Sequence, residues 1–125
     1  KADNAYKAAS VLASAKKLSQ ARSYAQKAIS FNENFGAPYI LIAQLYAGNY
    51  KWNDEPALNK CTFFAAIDKL QRAKAVDPSV AEEANKLISS YSAYTPEAKD
   101  LFMLGYKAGD RITIGGWIGE TTTIR

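Results

Sequence analysis

The sequence predicts an all-α chain of three stacked antiparallel helix pairs, closed by a short C-terminal β-hairpin. Three observations carry this. Alanines recur at a fixed interval, apolar positions at helical spacing lie beside them, and the chain changes to β-branched alternation after Arg111.

Ala21 and Ala28 lie seven apart, and Ala66 and Ala73 repeat that interval. Ahead of the first pair stand Ala5, Ala8, Ala9 and Leu12; ahead of the second stand Tyr39, Ile42, Ala43 and Tyr46. Each set has the i, i+3, i+4, i+7 spacing of one helix face, and the two are offset by 34 residues. A third set, Ala84, Leu87, Ile88 and Tyr91, follows 45 residues after the second. Alanine at a crossing point lets two helices approach closely, while Tyr, Leu and Ile fill the space alongside.

The boundaries fit six helices. Pro38 suits a first helical turn. Ser79 and Glu82 have capping-box spacing for the third unit. Thr95-Pro96-Glu97 offers a cap, a first-turn proline and an acid at the positive helix end, and Gly109 suits a stop after Lys107. The units therefore run 2–35, 36–80 and 81–109, and 111–125 forms the hairpin.

The second unit is lengthened. Ala9 to Ala21 spans 12 positions whereas Ala43 to Ala66 spans 23, an excess of 11 that falls within 48–60. A longer loop costs little stability and is a common mount for a binding feature. Tyr50 and Trp52 are its candidate partner contacts. The alternative has Trp52 folding back over the neighbouring helix pair as a lid, and the value of burying an indole favours it.

In the tail, Ile112 and Ile114 alternate with polar residues, Gly115-Gly116 follows, and Ile118 to Ile124 resumes the pattern. An isolated hairpin is marginal in water, so this one is expected to lie on the last helix pair with Trp117 as its plug. Its expected role is to cap the exposed face of the array; docking a partner's strand on its free edge is the alternative.

Composition narrows the chemistry. The chain has 125 residues, no histidine and one cysteine, Cys61. That removes the usual general base, the commonest transition-metal ligand, every Ser-His or Cys-His device and any internal disulfide. Asp54-Glu55 and Glu82-Glu83 are adjacent pairs, and adjacent helical residues point about 100° apart, so Glu82 and Glu83 do not converge on one substrate. No catalytic residue, cofactor or metal is assigned. The 16 basic and 12 acidic residues give a net charge of +4, which suits solubility better than nucleic-acid binding. No apolar run reaches the length of a membrane span. The chain starts at Lys1 without Met, as a processed protein or an excised fragment does.

The register of small and large residues resembles the tetratricopeptide repeat, a 34-residue helix–turn–helix unit; Ala66, Leu70, Ala73 and Asp77-Pro78 make the strongest local match. In the first repeat Ala5 replaces the family's opening aromatic and Glu33 its closing proline. The resemblance implies helix pairs stacked as a right-handed superhelix, whose first helices line a concave groove for a peptide or a partner helix. Carried over by position, that groove would present Tyr6 and Ser10, Ile40 and Gln44, then Asn85 and Ser89. The Lys/Asn/Arg clamp by which some members hold a terminal carboxylate is not assembled. Ser10 and Gln44 stand where asparagines would, and Ser89 where a cation would. The tail from Gly115 to Arg125, and the stretch from Lys74 to Asn85, are similar to a group of bacterial tetratricopeptide proteins, which implies a bacterial source and the C-terminal part of a longer array.

The expected function is thus a non-catalytic protein-interaction module, monomeric or weakly dimeric, in the cytoplasm or the cell envelope. The alternatives are a structural segment of a longer array, an accessory subunit of an enzyme complex, and, behind these, an RNA-binding repeat.

Overall fold

The computed structural model describes all residues from Lys1 to Arg125. The helices are α1 (Ala2–Ser14), α2 (Leu18–Phe31), α3 (Ala37–Gly48), α4 (Pro56–Lys60), α5 (Thr62–Val76), α6 (Ala81–Ser92) and α7 (Ala98–Met103). A two-stranded antiparallel sheet of β1 (Arg111–Thr113) and β2 (Thr121–Thr123) follows, with Ile112 opposite Thr122. Six helices are those the spacing predicts; α4 is an added turn inside the insert. No helix is long and apolar enough to cross a membrane.

Packing runs along the chain, α1 on α2, α2 on α3, α3 on α5 and α5 on α6. Ala9, Ala21, Ala28, Ala43, Ala66, Ala73 and Ala84 are all 0% exposed. Helix α3 lies between two neighbours, which explains its nearly continuous apolar run: Ile40, Ile42, Ala43, Leu45 and Tyr46 are all buried. Pro38 stands in its first turn.

Where α3 begins, the Val80 and Asp77 side chains close on the backbone. A Cβ on Gly36 would stand 2.6 Å from Val80 Cγ2 and 2.8 Å from Asp77 Cβ, closer than real carbons come. The Gly36 amide donates to Asp77 Oδ2 at 2.9 Å, tying α3 to the end of α5. Gly36→Ala is therefore expected to lower stability by about 1–3 kcal/mol, the usual cost of overpacking. A chemical-denaturation midpoint equal to the parent's would contradict this contact.

Asp77 also accepts from the Ser79 hydroxyl at 2.6 Å and from its amide at 3.1 Å. The Ser79 hydroxyl and the Gly36 amide hold its carboxyl below the usual carboxylate value. A depressed pKa means stability that is present above the unfolded value, about 3.9, and lost as pH falls through the folded one. The stability difference between the parent and Asp77→Asn should be constant near neutrality and shrink below about pH 4. A difference that grows on acidification would reject this.

Several predicted boundaries are corrected. Ser79 and Glu82 form no capping box: Asp77 holds the Ser79 amide, and a 3₁₀ turn at Pro78–Val80 precedes α6. Thr95 caps no helix start; its hydroxyl donates back to the Ser92 carbonyl at the end of α6. Helix α7 stops at Met103, short of Lys107, and has only six residues. Its helix neighbour is α4, so the predicted third pair does not form. Gly109, at φ +94°, instead opens the tail, its amide donating to the Ile124 carbonyl at 2.7 Å.

The hairpin exists, but it does not lie on the last helix pair. Strand β2 packs on α5. The Thr122 hydroxyl donates to Asp68 at 2.7 Å, and Arg125 pairs with the same carboxylate. Arg22 of α2 donates to the Trp117 and Ile118 carbonyls at 2.9 and 2.6 Å, and to the Tyr46 hydroxyl at 3.0 Å. The Tyr46 hydroxyl in turn donates to Glu120, which Lys69 holds at 2.7 Å. Burial first, then the Glu120 hydrogen bond, pushes the Tyr46 hydroxyl well above the usual tyrosine range. The polar partners of the tail thus sit on α2, α3 and α5, and they draw it there. Trp117 stacks under Arg22, 5.0 Å from its guanidinium, and meets Tyr46 edge to face.

Candidate functional site

The insert is folded, and one buried side chain organises it. Asn59 Oδ1 accepts from the Trp52 and Asn53 amides at 2.8 and 2.7 Å, while its Nδ2 donates to the Asn53 carbonyl at 2.8 Å. The Thr62 hydroxyl donates to the Tyr50 carbonyl at 2.9 Å. Trp52 is half-buried against the tail, and a Cβ on Gly115 would stand 2.7 Å from its ring. Trp52 is thus spent on packing, against the core and the Gly115-Gly116 backbone of the tail.

Fixing the insert places Tyr50 at the rim of a cleft of about 450 Å³, between the end of α3, the start of α5 and the end of α6. Gln44, Tyr50, Lys60, Phe63, Tyr91 and Tyr94 line it. Phe63 is the hub. Its ring lies 5.1 Å from Tyr50, 5.9 Å from Tyr91 and 5.5 Å from Tyr94, all ordinary distances for aromatic pairs. Tyr94 is 57% exposed, so much of its ring is open to solvent. Burial raises the Tyr91 hydroxyl above its usual pKa. The size falls within the roughly 300–1,000 Å³ of ligand pockets.

The charges here are uneven. Lys60 is the one charged residue in the lining, and the Lys51 ammonium lies 6.0 Å from the Tyr50 ring. Neither takes part in any of the molecule's ion pairs. A second apolar cleft, about 420 Å³, lies between α7 and the tail at Leu101, Phe102, Met103 and Ile124. Its cations are already matched: Lys99 with Glu97, Lys107 with Asp110 and Arg125 with Asp68.

Of the predicted groove residues only Gln44 lines the aromatic cleft, where it is joined by Tyr50 of the insert. Tyr6 packs its ring on Phe35, 5.3 Å away, and the Ser10 hydroxyl donates to the Tyr6 carbonyl within α1. Ile40 is only 3% exposed and belongs to the core, because α3 is covered on both sides. Asn85 accepts from Lys74 at 2.7 Å, on the α5 side of α6, and Ser89 is exposed outside the cleft lining. The sequence reading missed Lys60, Phe63, Tyr91 and Tyr94 as site residues. Two signals could have found them: tyrosines three apart at the end of one helix, and aromatics on both sides of the insert.

Reactive groups are few. Cys61 is fully buried, and burial pushes its thiol up to about 11, so it is protonated and shielded at neutral pH. No three Cys, Asp or Glu side chains converge on one point. No protein-family model, curated protein or solved structure matches the chain.

Proposed function

We propose that this chain is a non-catalytic interaction module of the tetratricopeptide type, which holds an extended peptide or a partner helix against the ends of α3, α5 and α6. The observation that carries this reading is the aromatic cleft itself: three tyrosine rings meet around Phe63, with the Tyr94 face left open. An aromatic surface of this kind supplies contact area at low entropic cost, and such residues dominate binding energetics where they are found at interfaces. The buried, protonated Cys61 and the lack of histidine favour binding over covalent chemistry. The buried alanines at the helix crossings support the tetratricopeptide-type stack and its superhelix.

A structural role in a longer array is the second reading. Phe102 and Met103 favour it, exposed at 74% and 84% as surfaces awaiting a covering layer are. Selection of displayed random peptides on the immobilised chain separates the two. The interaction reading expects sequences enriched on the parent and lost on Tyr94→Ala, a substitution at an exposed ring. No enrichment, or enrichment indifferent to Tyr94, would reject it.

A further inference from the structure

Peptide binding at the cleft leaves open what chemistry it selects, and the distribution of charge bears on that. Resting on the peptide-binding reading, we propose that the cleft selects a segment with one bulky apolar side chain flanked by carboxylates. The apolar group covers the open face of Tyr94 beside Phe63, and a flanking carboxylate faces Lys60.

The rings argue for the apolar group. Tyr50, Tyr91 and Tyr94 all pack against Phe63 with centroids within 5.9 Å, so they form a continuous wall and not an open box. A wall takes a flat or branched apolar side chain by stacking and edge contact. A quaternary ammonium needs rings spaced around it, and here it would also meet the Lys60 charge. The open amide of Gln44, at the end of α3, can donate to or accept from the backbone of an extended segment.

The cations argue for the acid. Four of the sixteen basic side chains are held by carboxylates: Lys69 by Glu120, Arg125 by Asp68, Lys107 by Asp110 and Lys99 by Glu97. Lys60, the one cation in the cleft lining, is not held by any carboxylate, and no acid lines the cleft. Unmatched charge of one sign beside an apolar cleft attracts the opposite sign, speeds encounter and rejects like charge.

Three dye-labelled hexapeptides test this by fluorescence anisotropy at low ionic strength. Each has capped ends and a central tryptophan, flanked by two glutamates, two glutamines or two lysines. The glutamate peptide should bind about fivefold tighter than the glutamine peptide, the factor that exposed ion pairing supports, and the lysine peptide weakest. Lys60→Glu, at an exposed position, should abolish or invert that order, and Tyr94→Ala should weaken all three peptides. Circular-dichroism melts establish that both variants are folded. Equal binding of the three peptides, or an order unmoved by Lys60→Glu, overturns this inference and leaves the peptide-binding reading standing. Binding unmoved by Tyr94→Ala places the peptides elsewhere and overturns both. No binding by any peptide likewise overturns both.

Discussion

Replacing Arg22 by alanine should detach the tail's turn from the helices and cost about 3 kcal/mol, the scale of losing hydrogen bonds made by a charged group. One guanidinium here serves three acceptors: the Trp117 and Ile118 carbonyls and the Tyr46 hydroxyl. Removing it leaves those oxygens short of a donor in a half-buried setting and strips the cation from the Trp117 face. The tail does not simply lift away, because Ile112, Ile114, Ile118 and Ile124 are all buried. The expected state is a folded chain with a loosened turn, showing red-shifted tryptophan emission before any loss of helical signal. Arg22→Lys should recover little, since an ammonium cannot span the separated acceptors as the planar fork does. An Arg22→Ala chain with the parent's urea midpoint and native emission would show that apolar packing alone holds the tail.

Leu70→Ala should cost a comparable amount, about 2–5 kcal/mol, through the lost transfer energy and the cavity it leaves. Leu70 is fully buried on α5 between Ala66 and Ala73, in one cluster with Ile42, Ala43, Tyr46 and Ala84. The flanking alanines bring the helices close, and tightly seated neighbours limit how far the space can collapse. The difference should be read as a shifted denaturation midpoint at constant slope. A loss under about 1 kcal/mol would mean that the site relaxes and that the helices are less rigidly seated than these contacts describe. Because Leu70 lies in the core and Arg22 at its edge, their readouts differ. The first shifts cooperative unfolding; the second alters tryptophan emission in the folded chain.

The helical part of this fold was legible because close packing writes itself into residue size. Ala9, Ala21, Ala43, Ala66 and Ala73 were chosen by spacing alone, and every one is fully buried at 0% exposure. Chain ends were less legible. Helix α7 stops at Met103 because Leu104 and Gly105, at φ +92°, turn the chain, whereas the sequence offered Gly109 as an equally good stop. The hairpin could be read from β-branched alternation, but its seat could not. That seat depends on Arg22, Tyr46, Asp68 and Lys69, which lie 51 to 96 residues from their partners in the tail. The candidate site divides in the same way. Gln44 and Tyr50 were found from position on a helix and from the insert. Phe63, Tyr91 and Tyr94 meet only after the fold has brought α5 and the end of α6 together. Ile40 shows the converse error: a groove position by register becomes a core position once α3 is covered on both sides.

The most direct test of the cleft is amide-resolved NMR of the isotopically labelled chain during titration with a peptide selected on it. Shifts confined to the surroundings of Gln44, Tyr50, Lys60, Phe63, Tyr91 and Tyr94 are the predicted result. Shifts centred on Phe102 and Met103, with that aromatic wall unmoved, would contradict it.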